Sequence, residues 1–345
     1  MQIKVGPTDH VVDGYHVEEF TLINDQLFEL KVTNYGCTIM GLWWPNPDGS
    51  KTDVLLGYDT VEEWFKDEKW FGSTAGRCCN RIRNARFFLD GIEYILDANI
   101  PPHQLHGGIA GFHKKNWRAY PEQTTEYVGV KMYLLSRNGD QGYPGNVSVE
   151  ALIALTNRNE IIIQYKAVTD QETLVNITSH PYFNLNGSGS ILDHKLWINA
   201  DRMLVNDKDS IPTGEFLEIK GTAFDFTKTM TVKENLEKGH EQIDFANGID
   251  QNFVLNVMDE TKAAATISSE QTNRKITFYT NQPGIQFYTG NHLEIPGKKN
   301  TFYQKHDALC METQKFPDAI HFPHFPSVVL HPGEQYKSWT RIACE

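Results

Sequence analysis

The chain has 345 residues, 40% of them hydrophobic and 22% charged, and a formal net charge of −12. These proportions describe an ordinary globular chain with ample material for a core. The acidic balance argues against a nucleic-acid surface, which needs clustered Lys and Arg, and no run of 18 apolar residues is present to cross a membrane. Met1 to Pro7 has no apolar stretch of the kind a signal peptide carries. The five cysteines (Cys37, Cys78, Cys79, Cys310, Cys344) form an odd set without a C-x-x-C pair, which suits a reducing compartment and gives neither a disulfide framework nor a thiolate zinc site. The expected location is the cytoplasm, and the N-x-S/T matches at Asn146, Asn176 and Asn186 are read as chance.

In chain order, Val17 to Thr33 alternates apolar residues as strands do. Asp59 is placed to cap a short helix over Thr60 to Asp67. Gly76 to Arg86 carries Arg77, Arg81, Arg83 and Arg86, which suit a solvated face somewhat better than an anion site; the planar donors of Arg81 also suit paired hydroxyls. Arg86 to Ile95 reads as a hairpin turning at Asp90-Gly91. In His103-Gln104-Leu105-His106-Gly107-Gly108, the two glycines would let backbone approach a ligand. The H-x-x-H spacing is a weak metal signal without an H-E-x-x-H context.

Strands follow over Tyr127 to Leu135, Val147 to Leu155 and Ile161 to Val168. Thr178 to Gly187 (T-S-H-P-Y-F-N-L-N-G) has no regular period and delivers His180 to the edge of a cleft, where an imidazole titrating near pH 6.5 can act as an acid. Thr231 to Lys238 is a second short helix candidate. Asp250 precedes a strand, as either a turn cap or a ligand group, and Gln286 lies in the aromatic run Pro283 to Asn291. Glu312 sits between apolar residues in Cys310-Met311-Glu312-Thr313-Gln314. There a carboxylate is either a paired core group or a base whose pKa desolvation raises. His321 and His324 repeat the weak metal-like spacing. Lys275 to Thr280, Ile285 to Thr289, Val328 to Leu330 and Gln335 to Ile342 complete the strands.

No biased linker, repeat, G-x-G-x-x-G or G-x-x-x-x-G-K-[ST] interrupts this pattern. The expectation is one all-β domain over residues 1–345, a large antiparallel β-sandwich with a few short helices, whose site lies on loops between strands.

Six stretches together resemble the aldose 1-epimerase (galactose mutarotase) family, in that family's order: G-R-x-x-N-R-I at Gly76 to Ile82, L-H-G-G at Leu105 to Gly108, S-H-P-Y-F-N-L at Ser179 to Leu185, D-x-N-F-V-L at Asp250 to Leu255, P-G-I-Q-F-Y-T-G-N at Pro283 to Asn291 and E-T-Q-x-x-P-D-A at Glu312 to Ala319. The resemblance implies the mutarotase-like β-sandwich and an enzyme interconverting the α and β anomers of free hexoses such as galactose and glucose. It implies His180 as acid, Glu312 as base, and Asn80, Arg81, His106, Tyr182, Asp250 and Gln286 as sugar-binding groups, with no metal or cofactor. Phe287 or Trp117 would stack on the sugar. Two departures, Cys78-Cys79 for a small apolar pair and Gln251 where His is common, bear on pocket shape. The alternatives are a hexose-6-phosphate 1-epimerase and a non-catalytic carbohydrate-binding protein of the same fold. The expected partner is a small sugar, with no nucleic acid or membrane, for a monomer or weak homodimer.

Overall fold

Strands account for 48% of the chain and helices for 9%, which places it in the all-β class. The structure, a computed structural model, describes residues 1–345. Its largest sheet has nine antiparallel strands, among them the meander Tyr127–Ser136, Val147–Thr156 and Glu160–Thr169. The last strand of the chain, Tyr336–Cys344, lies inside this sheet between Glu160–Thr169 and Arg274–Thr280, so distant segments are closed into one layer. A six-stranded sheet runs in the order Tyr182–Phe183, Leu309–Gln314, Gly284–Tyr288, Asp250–Leu255, Ala200–Asn206, Pro212–Glu218. A five-stranded sheet is built from the N-terminal segments Gln2–Val12 to Lys51–Asp53.

Successive strand residues point to opposite faces, and in the six-stranded sheet that alternation separates core from site. Phe183, Phe253, Ile285, Phe287, Leu309 and Met311 point inward, and each is at most 2% exposed. They join one apolar cluster with Val149, Ile153, Ile163 and Ile342 of the nine-stranded sheet. Burying each such side chain stabilises the fold by roughly 1.5–3 kcal/mol. The residues between them, Tyr182, Asp250, Gln286 and Glu312, share the other face, where Gln286 stands directly opposite Glu312 and Tyr182 opposite Cys310.

The Asp-Gly hairpin forms as the sequence predicts, pairing Arg86–Leu89 with Ile92–Ile95 through Asp90 (φ 49°) and Gly91 (φ 77°), a type I′ turn. The first helix is shorter than expected, Val61–Phe65, and its N-cap position is Thr60 rather than Asp59. The Glu63 carboxylate accepts from the backbone N–H of both Asp59 (3.1 Å) and Thr60 (3.0 Å), a capping-box contact that Asp59 cannot supply from one residue further out. Thr231 caps Val232–Leu236 with its side chain, and a third helix, Glu241–Ala246, follows without having shown a clear period in the sequence.

The arginine run does not act as one surface: Arg86 and Arg83 lie at solvent, as a solvated face would have them, while Arg77 and Arg81 do not. Arg77 is 2% exposed and donates to Ser136, Thr173 and the carbonyls of Pro144 and Arg137. Arg83 donates to the Pro212 carbonyl, Arg86 pairs with Glu93, and only Arg81 reaches the cavity described next. The turns between these residues send the four side chains in different directions.

Candidate active site

The polar face of the six-stranded sheet floors a cavity of about 870 Å³ lined by Asn80, Arg81, His106, His180, Tyr182, Asp250 and Glu312 among others, within the range typical of small-molecule sites. Three separate devices bring these residues together. Glu312 and Asp250 arrive on strands. His180 sits in the step between the two-residue strands Thr178–Ser179 and Tyr182–Phe183; its N–H donates to the Ser73 carbonyl and its carbonyl accepts from Gly72 N–H, each at 3.0 Å. Gly72 has no room for a side chain, since a Cβ there would lie 1.9 Å from the Ile39 carbonyl oxygen.

Asn80, Arg81 and His106 come from a short antiparallel pair, Arg81–Ile82 with Gln104–Leu105. The His106 N–H donates to the Asn80 carbonyl, and the Asn80 N–H donates to His106 Nδ1. That second bond makes Nδ1 the acceptor, so in the neutral ring Nε2 carries the proton and presents a donor to the cavity. Gly107 serves a different purpose from the one expected, since a Cβ there would meet the Gly76 carbonyl at 1.9 Å and its close approach is to the protein's own backbone, while Gly108 does line the cavity.

His180 Nε2 lies 3.3 Å from Glu312 Oε1, and the two side chains are 6% and 2% exposed. Burial pushes Glu312 well above the usual carboxylate range, with the Asp250 charge adding to the rise and Arg81 opposing it. Burial also pushes His180 down to about 4. Both charged forms are disfavoured, so the pair holds one proton across the neutral range rather than standing as a fixed imidazolium and carboxylate. His106 is pushed well below the usual imidazole value by burial and by the neighbouring His180 and Arg81, so it is a neutral donor.

Asp250 faces Arg81 at 3.6 Å and accepts from Gln286 Nε2 at 2.6 Å. Gln286 does not line the cavity; it stands behind Asp250, between it and the Glu312 strand. Tyr182 lies parallel to the His180 ring at 5.0 Å and donates its hydroxyl to the Lys69 carbonyl. Phe287 and Trp117 are fully buried core residues, because each falls on the inward side of its segment. The cavity aromatics are Phe65, Trp70, Tyr182 and Tyr288, and His113 and His292 also reach it. Nothing in the sequence singled out Trp70, whose place in the cavity is set by contacts between distant segments.

Metal-like spacings do not converge. His103 Nδ1 accepts from Asn84 N–H, His321 meets Asp318, and His324 meets the Gly214 carbonyl. His106, His180 and Glu312 do place donor atoms within 4.8 Å of one another. The tautomer fixed by Asn80, however, turns an N–H rather than a lone pair of His106 toward that point. Gln251 is joined to Asn206 and Gln242, and Cys79 to Gln314, so neither departure from the family motifs enters the cavity.

The last motif carries a further fastening. The Asp318 carboxylate accepts from the Arg83 N–H (2.9 Å) and meets His321 Nδ1, while its own N–H donates to the Arg81 carbonyl (3.0 Å). Asp318 therefore locks the Asn80–Arg81 loop to the segment that follows Glu312.

A β-sandwich whose polar sheet face holds a buried imidazole–carboxylate pair, ringed by hydrogen-bonding side chains, has the make-up of an isomerase that works by proton transfer. The family model for aldose 1-epimerase matches residues 18–343. Galactose mutarotase from Bos taurus is 41% identical over 94% of this chain and 93% of its own length. Aldose 1-epimerase from Escherichia coli K12 is 34% identical over 95% of each. Among solved structures, a galactose 1-epimerase from Lactobacillus acidophilus superposes with a TM-score of 0.88 at 29% identity, covering 100% of this chain and 98% of that one. The chain belongs to the aldose 1-epimerase family.

Proposed function

We propose that the chain interconverts the α and β anomers of free hexoses, galactose and glucose among them, with His180 and Glu312 exchanging protons at the two ends of the hemiacetal. The observation that carries this reading is the buried His180–Glu312 pair, 3.3 Å apart at the floor of one cavity. Ring opening breaks the C1–O5 bond. Glu312 takes the proton of the C1 hydroxyl as its oxygen becomes the aldehyde, and His180 gives a proton to O5 as that oxygen receives the bonding pair. Rotation about C1–C2 and the reverse transfers close the ring on the other face. At rest burial keeps the pair's one proton on Glu312, so the reactive form is the tautomer in which it sits on His180. Opening from that tautomer of carboxylate and imidazolium ends with carboxylic acid and neutral imidazole, so the charges that burial disfavours are quenched in the step.

His106 and Arg81 stabilise the oxygens as charge moves. Asp250, set by Gln286 and Arg81, and Asn80 hold the remaining hydroxyls, and Tyr182 fixes the His180 ring. Only Arg81 of the four arginines faces the cavity, and Asp250 pairs with it, which weighs against a phosphate pocket built from that run. An intact acid and base weigh against a merely carbohydrate-binding role. We also read residues 1–345 as one domain, supported by an apolar cluster that draws members from Phe20 to Cys344. Five buried, unpaired cysteines support a reducing compartment and hence the cytoplasm, and a monomer or weak homodimer is expected. Polarimetry of freshly dissolved α-D-galactose tests the activity: a rotation change clearly faster than the spontaneous one is expected, and the spontaneous rate alone would refute it.

A further inference from the structure

The segment from Trp64 to Ser73 borders the cavity and is fastened on both sides of one residue. The Lys114 ammonium donates to the carbonyls of Phe65 (3.1 Å) and Asp67 (2.6 Å). The Asp67 carboxylate accepts from the N–H groups of Lys69 and Phe71, each at 2.9 Å, and the Trp64 indole donates to the Phe71 carbonyl. Between these clamps Trp70 is held at φ 57°, a left-handed conformation that a bulky L residue avoids. Its ring lines the cavity and leans on His106 and His113, at 4.9 and 5.4 Å between ring centres, and its Nε1–H is buried without an acceptor from the chain.

Strain of this kind persists only where the surroundings over-determine it, and it gathers at ligand clamps. The other cavity aromatics are already engaged. Tyr182 lies against His180, Tyr288 is edge-on to Tyr182 and accepts from His292 N–H, and Phe65 is edge-on to His10 and Tyr35.

We propose that Trp70 is a substrate-binding residue, its indole face serving as the platform for the C–H face of the pyranose and holding C1 toward His180 and Glu312. This rests on the reading of the cavity as a hexose site. The electron-rich indole face suits the polarised C–H groups on one side of a pyranose, and its contact with His106 joins platform and hydroxyl donor into one unit.

The test compares Trp70→Ala and Trp70→Phe in polarimetric KM and kcat with α-D-galactose, together with a galactose titration of intrinsic fluorescence. Ala is expected to raise KM about tenfold, the equivalent of about 1.4 kcal/mol, with kcat falling less. Phe keeps a flat ring and drops the unpaired donor, so it should restore KM to within about threefold of wild type, a fraction of a stacking contact. The galactose-dependent fluorescence change of the wild type should disappear in Trp70→Phe, an outcome that a purely structural tryptophan would not give. An Ala variant with wild-type KM, or a Phe variant that keeps the full fluorescence change, overturns the inference alone. A wild-type chain that neither binds nor turns over galactose overturns it together with the hexose reading.

Discussion

Replacing Glu312 by Gln keeps the shape of a side chain that is 2% exposed and removes only its ability to take a proton. His180 Nε2, 3.3 Å away, can still donate to the amide oxygen, so the floor of the cavity should stay in place. One general-base transfer is worth a factor of about 10² to 10⁴, roughly 3 to 5 kcal/mol of barrier. The polarimetric kcat with α-D-galactose should fall by that factor. Stability should move the other way. Burial raises the carboxyl well above its usual 4.5, so above that pH the unfolded chain ionises while the folded chain keeps its proton. Wild-type stability is then lost as pH rises, by up to about tenfold in the folding constant per pH unit until the folded pKa is reached. Gln carries no such cost. Glu312→Gln should unfold at a higher temperature than wild type at pH 8, and the gap should close below pH 4.5. A variant that retains wild-type kcat, or one that is less stable than wild type at pH 8, would refute the reasoning.

The same burial sets the acid limb of the pH–rate profile. Activity requires one proton on the pair, and a second proton reaches His180 only near pH 4, so initial rates should hold from pH 7 down to about 5 and then fall; a decline centred at 6.5 would contradict the assignment. Arg77→Leu should lower the unfolding free energy by about 3 kcal/mol or more in denaturant titrations, because it leaves several buried carbonyl and hydroxyl acceptors without donors, and a loss below about 1 kcal/mol would count against that role. Asp318→Ala should raise KM about tenfold by loosening the Asn80–Arg81 loop, while Asp318→Asn, which can still accept from Arg83 N–H, should recover most of the loss. Equal KM values for the two variants would deny Asp318 that positioning role.

Much of the architecture was written in period-2 alternation. The runs around residues 127–169 and 275–342 became strands within a residue or two: strands such as Glu160–Thr169 and Tyr336–Cys344 alternate a buried face with a more exposed one, and Gly284–Tyr288, buried on both faces, reads as a short aromatic run. Glu312 was legible as a carboxylate following the apolar Leu309-Cys310-Met311 on a strand that is buried along its length. Gln2–Val12 was missed, since that strand lies at a sheet edge with both faces partly exposed and carries Gly6-Pro7 inside it. The cavity's loop residues were harder. Nothing local tells Arg81 from Arg77, which the folded chain sends to opposite fates, and the roles of Trp70 and Asp318 depend on contacts between segments far apart in sequence. The protonation state was also out of reach, because the burial that moves His180 and Glu312 in opposite directions comes from the assembled sheet and loops.

The most direct measurement is a crystal structure of the chain with D-galactose bound. Glu312 is expected within about 2.6–3.2 Å of the C1 hydroxyl and His180 within the same reach of the ring oxygen, both inside the cavity floored by the polar sheet face. A sugar bound with its anomeric carbon away from the two side chains, or with either of them turned from the hemiacetal, would contradict the account.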